Sequence, residues 1–114
     1  MNNIFEETKF ILKKYGISAN KSLGQNFLIN DEVVQGIVDK AEISKDDLVI
    51  EIGPGLGTLT KELWEESGKV IAIELDTRMI QILTDRFKLY DNFELINEDV
   101  LKVDLSKLIQ DNFR

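Results

Sequence analysis

Three glycines alternate with other residues in the segment GPGLG at residues 53–57, which directly follows the short apolar run Leu48–Ile52. Glycine has no Cβ, so the backbone can turn sharply here and approach a ligand closely. A helix behind such a turn offers unpaired N–H groups and the positive end of its dipole. The segment therefore predicts a site for a polar or anionic ligand, although a tight strand-to-helix turn without a ligand would use the same residues.

The spacing of these glycines differs from the dinucleotide fingerprint, which requires glycines at its first, third and sixth positions. Counted from Gly53, the sixth position is Thr58 and the fifth is Gly57. This difference weakens a prediction of NAD binding. The pattern instead suits a ligand without a pyrophosphate, such as the amino acid part of S-adenosylmethionine.

Two carboxylates follow later strands at positions where they could complete the site. Glu74 ends the second apolar run about 20 residues after the glycine turn, where a carboxylate can accept hydrogen bonds from ribose hydroxyls. Asp99 follows the third run and could accept the N6 amino proton of an adenine, while the N–H of Val100 could reach a ring nitrogen. Ligands of open α/β sheets bind outside the carboxyl ends of the strands, so these groups are predicted to converge. Taken singly, each acid could also be a solvated loop residue or a helix cap.

The elements that would position these groups alternate along the chain. Apolar runs bounded by turn signals predict strands at Leu48–Ile52, Val70–Leu75 and Phe93–Asn97, the first of them covered on both faces. Helical spacing predicts the intervening helices Thr58–Glu66 and Thr77–Phe87. This alternation indicates an α/β fold with a parallel sheet and right-handed crossovers.

Further helices are predicted on either side of this unit. Residues 4–14 form a loose amphipathic pattern, and residues 104–110 form one more short helix. Residues 17–30 are predicted to be an ordered loop, and Asp31 is predicted to cap the helix that follows it. The apolar residues of that helix fall at helical spacing and predict one buried stripe, formed by Val33, Val34, Ile37, Val38 and Ala41.

Composition excludes several classes of protein. The chain has 114 residues, of which 43% are hydrophobic and 31% charged, so it suits one domain. It contains no cysteine and no histidine, which excludes disulfides, thiolate or imidazole metal sites, and catalytic triads built on histidine. No stretch approaches the roughly 20 apolar residues of a membrane-spanning helix, and a cytoplasmic protein is predicted.

Charge is distributed unevenly along the chain, whose formal net charge is -7. Residues 1–30 hold four lysines against two glutamates, whereas the remaining residues hold ten bases against nineteen acids. Any contact with a polyanion should therefore involve the first thirty residues. The alternative is that these lysines form an ordinary solvated face.

Two segments, SLGQNFL at residues 22–28 and EIGPGLG at residues 51–57, together resemble the ribosomal RNA adenine N6,N6-dimethyltransferases. The resemblance covers nearly the whole chain from about Lys14 onward and continues through Ile73–Asp76 and Asn97–Val100. The sequences of both segments are more similar to those of the housekeeping small-subunit enzymes. The alternative is that the chain resembles the macrolide-resistance dimethylases of large-subunit RNA.

The resemblance implies a Rossmann-like class I methyltransferase fold and S-adenosyl-L-methionine as cofactor. It also implies that methyl groups go to two adenines of small-subunit ribosomal RNA, with that RNA and the small ribosomal subunit as partners of the complete enzyme. The cofactor-binding residues that follow from the resemblance and from the glycine turn are Asn26, Leu28, Gly53, Gly55, Glu74, Asp99 and Val100.

The resemblance also implies how these residues divide the cofactor between them. Asn26 and Leu28 would contact it from the N-terminal loop, and Gly53 would pass close to its methionine part. Glu74 would bind the ribose and Asp99 the adenine. None of these residues would carry out the methyl transfer, because the family places an Asn-Leu/Ile-Pro-Tyr segment beside a target base that is extruded from its stack.

No Asn-x-Pro-Tyr segment occurs in this sequence, whose only proline is Pro54. In the family this segment follows the fourth strand, and a small helical domain comes later still. We therefore expect an amino-terminal fragment: residues 1–114 would form a partial S-adenosylmethionine-binding domain, with an N-terminal helix and loop at 1–30 and the βαβαβ half of the sheet at 31–114. The fragment is expected to retain part of the cofactor site, to contain no catalytic residue and not to methylate RNA.

Loss of the fourth strand would expose one side of the first strand, because the two are neighbours in the family's sheet. Leu48–Ile52 would then be an apolar edge strand, which invites pairing with a second chain, so self-association is expected. A different reading of the whole sequence also stays open, in which the chain is a non-catalytic module that binds an adenosine ligand or assists assembly. Preferential binding of NAD would argue against the methyltransferase.

Overall fold

The computed structural model describes residues 4–17 and 31–112. Helices and strands alternate after the first two helices. A 3₁₀ turn, Val100–Lys102, precedes the last described helix. The elements in chain order are α1 (Ile4–Lys14), α2 (Asp31–Ala41), β1 (Leu48–Ile52), α3 (Thr58–Glu66), β2 (Lys69–Glu74), α4 (Thr77–Phe87), β3 (Phe93–Asn97) and α5 (Leu105–Asn112).

The three strands form one parallel sheet in the order β1-β2-β3, so the predicted α/β architecture is confirmed. The register pairs Ile52 with Ile73 and Glu74 with Asn97, which brings the carboxyl ends of all three strands to one edge. The bounds of β1 and β3 match the prediction. The second strand begins and ends one residue earlier than predicted, and Leu75, placed in it by its apolar character, lies outside the strand with 65% of its surface exposed.

The strand covered on both faces is β2 and not β1, which corrects the prediction from the sequence. Residues 70–73 of β2 are at most 1% exposed, because this strand lies between its two neighbours and α3 and α4 pack against it. Strand β1 is half-buried along most of its length, and Ile52 at its end is 57% exposed. An apolar run indicates burial in general but does not identify the central strand.

The main core cluster lies beneath the glycine turn. It joins α1 and α4 to that turn and contains Ile11, Leu56, Met79, Ile82, Leu83 and Phe87. A second cluster lies between α2, α3 and β2, where Val38, Leu63 and Val70 pack together. The two clusters cover different parts of the sheet, and both contact Phe93 at the start of β3.

Helix α2 buries a narrower stripe than the sequence predicts. Val34 and Val38 are buried, whereas Val33, Ile37 and Ala41 are exposed. The prediction of one five-residue buried stripe was wrong because α2 rests on α3 with a single line of contact, and only residues four apart on that line reach the core.

Trp64 on α3 lies at the opposite end of the sheet from the glycine turn. Its ring meets that of Tyr90 edge-on at a centroid distance of 4.4 Å, and its Nε1 donates to the carbonyl oxygen of Asp91 at 2.6 Å. Asp91 precedes β3, so this contact joins α3 to the loop that enters the third strand. Within the described ranges, no helix is both long and apolar enough to cross a membrane.

Candidate functional site

The glycine turn between β1 and α3 requires glycine at three positions. Gly53, Gly55 and Gly57 have φ values of 69°, 61° and 87°, all in the left-handed region that other residues rarely adopt. The N–H of Gly53 donates to the carbonyl oxygen of Ile73 at 2.9 Å, which extends the β1–β2 ladder into the turn. The N–H of Gly57 donates to the carbonyl oxygen of Pro54 at 3.0 Å and closes the turn just before the helix.

Two of these glycines face different surroundings. A Cβ placed on Gly57 would lie 2.5 Å from Cε2 of Phe87 and 2.9 Å from Cδ2 of Leu83, so this glycine allows α4 to pack against the back of the turn. Among the described residues, a Cβ placed on Gly53 would meet nothing within 4 Å. The turn therefore rests on the core at Gly57 and has open space at Gly53, where a ligand could approach the backbone.

Glu74 points at the glycine turn from the end of β2. Its side chain is buried; Oε1 accepts from the N–H of Gly55 at 3.1 Å, and Oε2 accepts from the N–H of Asp76 at 3.0 Å. A carboxylate has about four acceptor sites, so both oxygens can accept further hydrogen bonds. The structure thus brings together two residues that the sequence singled out, Gly55 and Glu74, by a direct contact.

Asp99 follows β3 at the same edge of the sheet. The N–H of Glu98 donates to the carbonyl oxygen of Glu74 at 3.2 Å, so the chain that leads to Asp99 is tied to the end of β2. Asp99 is half-buried, and its Oδ1 accepts from the N–H of Leu101 at 2.9 Å, which makes it the N-cap of the 3₁₀ turn. One oxygen of Asp99 therefore caps a helix, as the alternative interpretation expected. Within the described residues, no direct contact joins this side chain to the glycine turn.

Asn97 has a role that sequence reasoning missed. Its side-chain Nδ2 donates to the carbonyl oxygen of Glu74 at 2.9 Å and to that of Leu75 at 3.3 Å. These bonds fasten the end of β3 to the end of β2, next to the predicted ribose carboxylate. A polar residue that ends an apolar run is a weak signal, because such residues usually end strands without further function.

Glu51 is a second carboxylate behind the turn to which the sequence had given no role. It accepts a short hydrogen bond from the hydroxyl of Thr60, a fully buried residue of α3. Burial, with a smaller contribution from the nearby charge of Glu74, raises the pKa of Glu51 from its ordinary 4.5 to about 7, and the Thr60 bond offsets part of this rise. The sequence feature that could have identified Glu51 is that it is the one acidic residue within an otherwise apolar strand.

Glu51 and Glu74 have no cationic partner among the described residues. In residues 4–17 and 31–112, neither Glu51 nor Glu74 forms an ion pair, and the ion pairs present involve Lys9, Arg78 and Arg86. The carboxylate of Glu74 beside the open glycine turn suits a ligand with positive charge. Two of the predicted cofactor-binding residues, Asn26 and Leu28, lie outside the described residues. A third, Val100, is half-buried at the start of the 3₁₀ turn.

A parallel sheet with a glycine turn and acids at its strand ends defines the class as the α/β folds that bind ligands at the carboxyl edge of the sheet. An N-methyltransferase NodS from Bradyrhizobium japonicum, solved with S-adenosyl-L-homocysteine, shares the fold with a TM-score of 0.59 at 15% identity, over 90% of this chain and 51% of that one. The chain belongs to the ribosomal RNA adenine dimethylase family, whose model matches residues 16–114. This membership confirms the family expected from the sequence.

Some proteins related to this family have sequences more than 50% identical to this chain. The chain is 53% identical over 106 residues to "Ribosomal RNA small subunit methyltransferase A" of Bacillus pumilus, and 54% identical over 103 residues to the protein of that name from Clostridium botulinum. These matches cover 93% and 90% of this chain but 36% and 38% of the relatives. The chain thus spans little more than a third of their length.

Two solved structures above 30% identity resemble the chain in fold and sequence. The 23S rRNA methyltransferase ErmE has 35% identity and a TM-score of 0.64, over 68% of this chain and 32% of that one. A dimethyladenosine transferase from Plasmodium falciparum has 36% identity and a TM-score of 0.63, over 68% and 29%.

Proposed function

We propose that this chain forms the cofactor-binding half of a ribosomal RNA adenine N6,N6-dimethyltransferase. In this proposal the complete enzyme transfers methyl groups from S-adenosyl-L-methionine to two adenines of small-subunit ribosomal RNA in the cytoplasm. The observation that carries the proposal is the hydrogen bond from Gly55 to the buried carboxylate of Glu74. It joins the glycine turn to a ribose acceptor at the one edge of the sheet where such ligands bind.

The described residues fit this cofactor in shape and charge. The open space at Gly53 leaves room for the methionine part to lie against the backbone. Glu74 would accept from the ribose hydroxyls while it keeps its two backbone donors. Glu74, which has no cation beside it in the described part of the chain, suits a ligand that carries a sulfonium and an ammonium group.

The remaining proposed contacts are those to the adenine and those from the N-terminal part of the chain. The second carboxylate oxygen of Asp99 would accept the adenine N6 proton while Oδ1 keeps its bond to Leu101. The N–H of Val100 would address a ring nitrogen, and Asn26 and Leu28 would cover the ligand from the N-terminal side. When bound, the cofactor supplies a methyl group on a positively charged sulfur, which an adenine amine can displace in line. No residue described here is assigned to that transfer.

Small-subunit RNA is the proposed target rather than large-subunit RNA. The relatives named for the small subunit are 53–54% identical to this chain, compared with 35% for the 23S rRNA methyltransferase ErmE. The small ribosomal subunit and its RNA would therefore be the partners of the complete enzyme. A non-catalytic module that binds an adenosine ligand is the second candidate, favoured by the fact that the described site holds only ligand-positioning groups.

The test is titration calorimetry of the chain with S-adenosylmethionine, S-adenosylhomocysteine and NAD. We expect the first two to bind and NAD to bind much more weakly. Asp99→Ala should weaken both sulfur ligands, whereas Asp104→Ala should not. The second variant is a matched control because Asp104 also caps a helix, accepting from the N–H of Lys107 at 3.0 Å. Tightest binding of NAD would refute the proposal.

We also propose that this 114-residue chain self-associates through β1. In the described part of the chain, β1 pairs with β2 on one side and with no strand on the other, and it carries the apolar residues of Leu48–Ile52. An edge of this kind offers unpaired backbone groups to a second copy. Light scattering over a concentration series should show a mass that increases with concentration, and a constant monomeric mass would contradict the proposal.

A further inference from the structure

Helix α1 and Tyr15, the residue that follows it, contact the glycine turn and α4 at three points. Ile11 is buried in the same cluster as Leu56 of the turn. The hydroxyl of Tyr15 donates to Oδ2 of Asp85 on α4 at 2.7 Å. Glu7 makes the third contact, an ion pair with α4. The N-terminal helix is therefore docked on the far side of the turn from its open face.

Arg86 of α4 lies where this helix and the turn meet. One of its NH2 groups, Nη2, donates to Oε1 of Glu7 at 2.7 Å, and the other, Nη1, donates to the carbonyl oxygen of Leu56 by a short hydrogen bond. The side chains of Arg86 and Glu7 are only 18% and 26% exposed, so solvent screens the pair incompletely. A guanidinium has donors in a fixed fork, and here the fork spans two separate elements.

We propose that Arg86 is a positioning residue that couples the docking of α1 to the shape of the glycine turn, so that cofactor affinity depends on Glu7. This inference rests on the proposed function. Glu7 lies on α1, at least 19 residues from every predicted cofactor residue in sequence, and its described ion pair is with Arg86. Its effect on the ligand would therefore pass through Arg86 and the Leu56 carbonyl.

The turn is held from two directions by charged side chains. Glu74 accepts from the N–H of Gly55, and Arg86 donates to the carbonyl oxygen of the next residue, Leu56. Removal of Glu7 leaves Arg86 with one of its two described hydrogen-bond partners and with its contact to the Phe87 ring, so the guanidinium is held less firmly. The Leu56 peptide loses its fixed orientation, and the N–H groups that face the ligand become less well ordered.

The experiment is a double-mutant cycle on cofactor affinity, with Glu7→Ala, Arg86→Met and the double variant, titrated with S-adenosylmethionine well below their melting temperatures. Methionine keeps the apolar stem of the arginine. We expect each single variant to bind about tenfold more weakly, and the double variant to bind no more weakly than Arg86→Met. Lys9→Gln on the same helix is the control and should bind like the parent chain, because Lys9 forms only an exposed contact with Glu6 at 3.6 Å.

A second measurement needs no ligand. Amide hydrogen exchange at Gly57, whose N–H closes the turn onto Pro54, should be faster in Glu7→Ala than in Lys9→Gln. Unchanged affinity and unchanged exchange in Glu7→Ala would overturn the inference, as would independent, multiplicative losses in the double variant. If the parent chain itself fails to bind S-adenosylmethionine, the proposed function fails, whereas exchange at Gly57 still tests the coupling.

Discussion

Replacement of Glu74 by glutamine is expected to weaken binding of S-adenosylmethionine about 100-fold, because each charge-assisted hydrogen bond to a ribose hydroxyl contributes about 1.5–3 kcal/mol. The loss has a second source in the protein itself. A glutamine amide has one oxygen and one NH2 group, while the side chain of Glu74 accepts from two N–H groups, those of Gly55 and Asp76. One of these two donors would then lose its acceptor, which leaves either the glycine turn at Gly55 or the chain at Asp76 less firmly held.

Calorimetry with S-adenosylmethionine and S-adenosylhomocysteine measures this effect, with Glu94→Gln as the control. Glu94 undergoes the same change in charge but is exposed on β3 and lies three residues before the strand end. Its variant should bind both ligands like the parent chain. Equal affinities for the two variants would mean that binding does not depend on the Glu74 carboxylate, and the ribose assignment would be wrong.

Replacement of Glu51 by glutamine is expected to change how stability depends on pH. The pKa of Glu51 is about 7 in the folded chain and 4.5 ordinarily, so the folded state binds more protons between these values. The free energy of unfolding should therefore fall as pH rises through this window, by up to roughly 3 kcal/mol in the parent chain. Glutamine remains neutral and removes this contribution, so Glu51→Gln should be the more stable chain at pH 8.

Urea unfolding at pH 5, 6, 7 and 8 tests this expectation. Near pH 5 the parent carboxyl is mostly protonated, and the two chains should have similar stability, because a glutamine amide can still form a hydrogen bond with Thr60. Glu94→Gln again supplies the control and should follow the pH dependence of the parent chain. Parallel curves for Glu51→Gln and the parent would show that the carboxyl ionises normally.

The sequence was sufficient to predict those features that depend on neighbouring residues. The bounds of β1, β3, α3 and α4 match because glycines and polar residues interrupt clear apolar periods. The direction of Glu74 was also predictable, since in a parallel sheet the end of one strand lies beside the turn that follows its neighbour.

Features that depend on packing were not predictable in this way. Arg86 and Glu7 are 79 residues apart, and nothing in the local pattern of either indicates the other. The raised pKa of Glu51 results from burial by α3, and the exposure of Val33 and Ile37 results from the narrow contact between α2 and α3. In each case the result depends on which helices and strands pack together. The order of apolar residues along the chain does not carry that information.

The position of Trp64 determines what intrinsic fluorescence can report for this chain, which has a single tryptophan. The indole packs on Tyr90 and bonds to Asp91 at the edge of the sheet remote from the strand ends that hold the candidate site. Its emission should therefore follow the separation of α3 from the loop before β3 during denaturation. A ligand bound between Gly53 and Glu74 would leave this signal largely unquenched, so tryptophan emission can monitor unfolding while ligand is titrated.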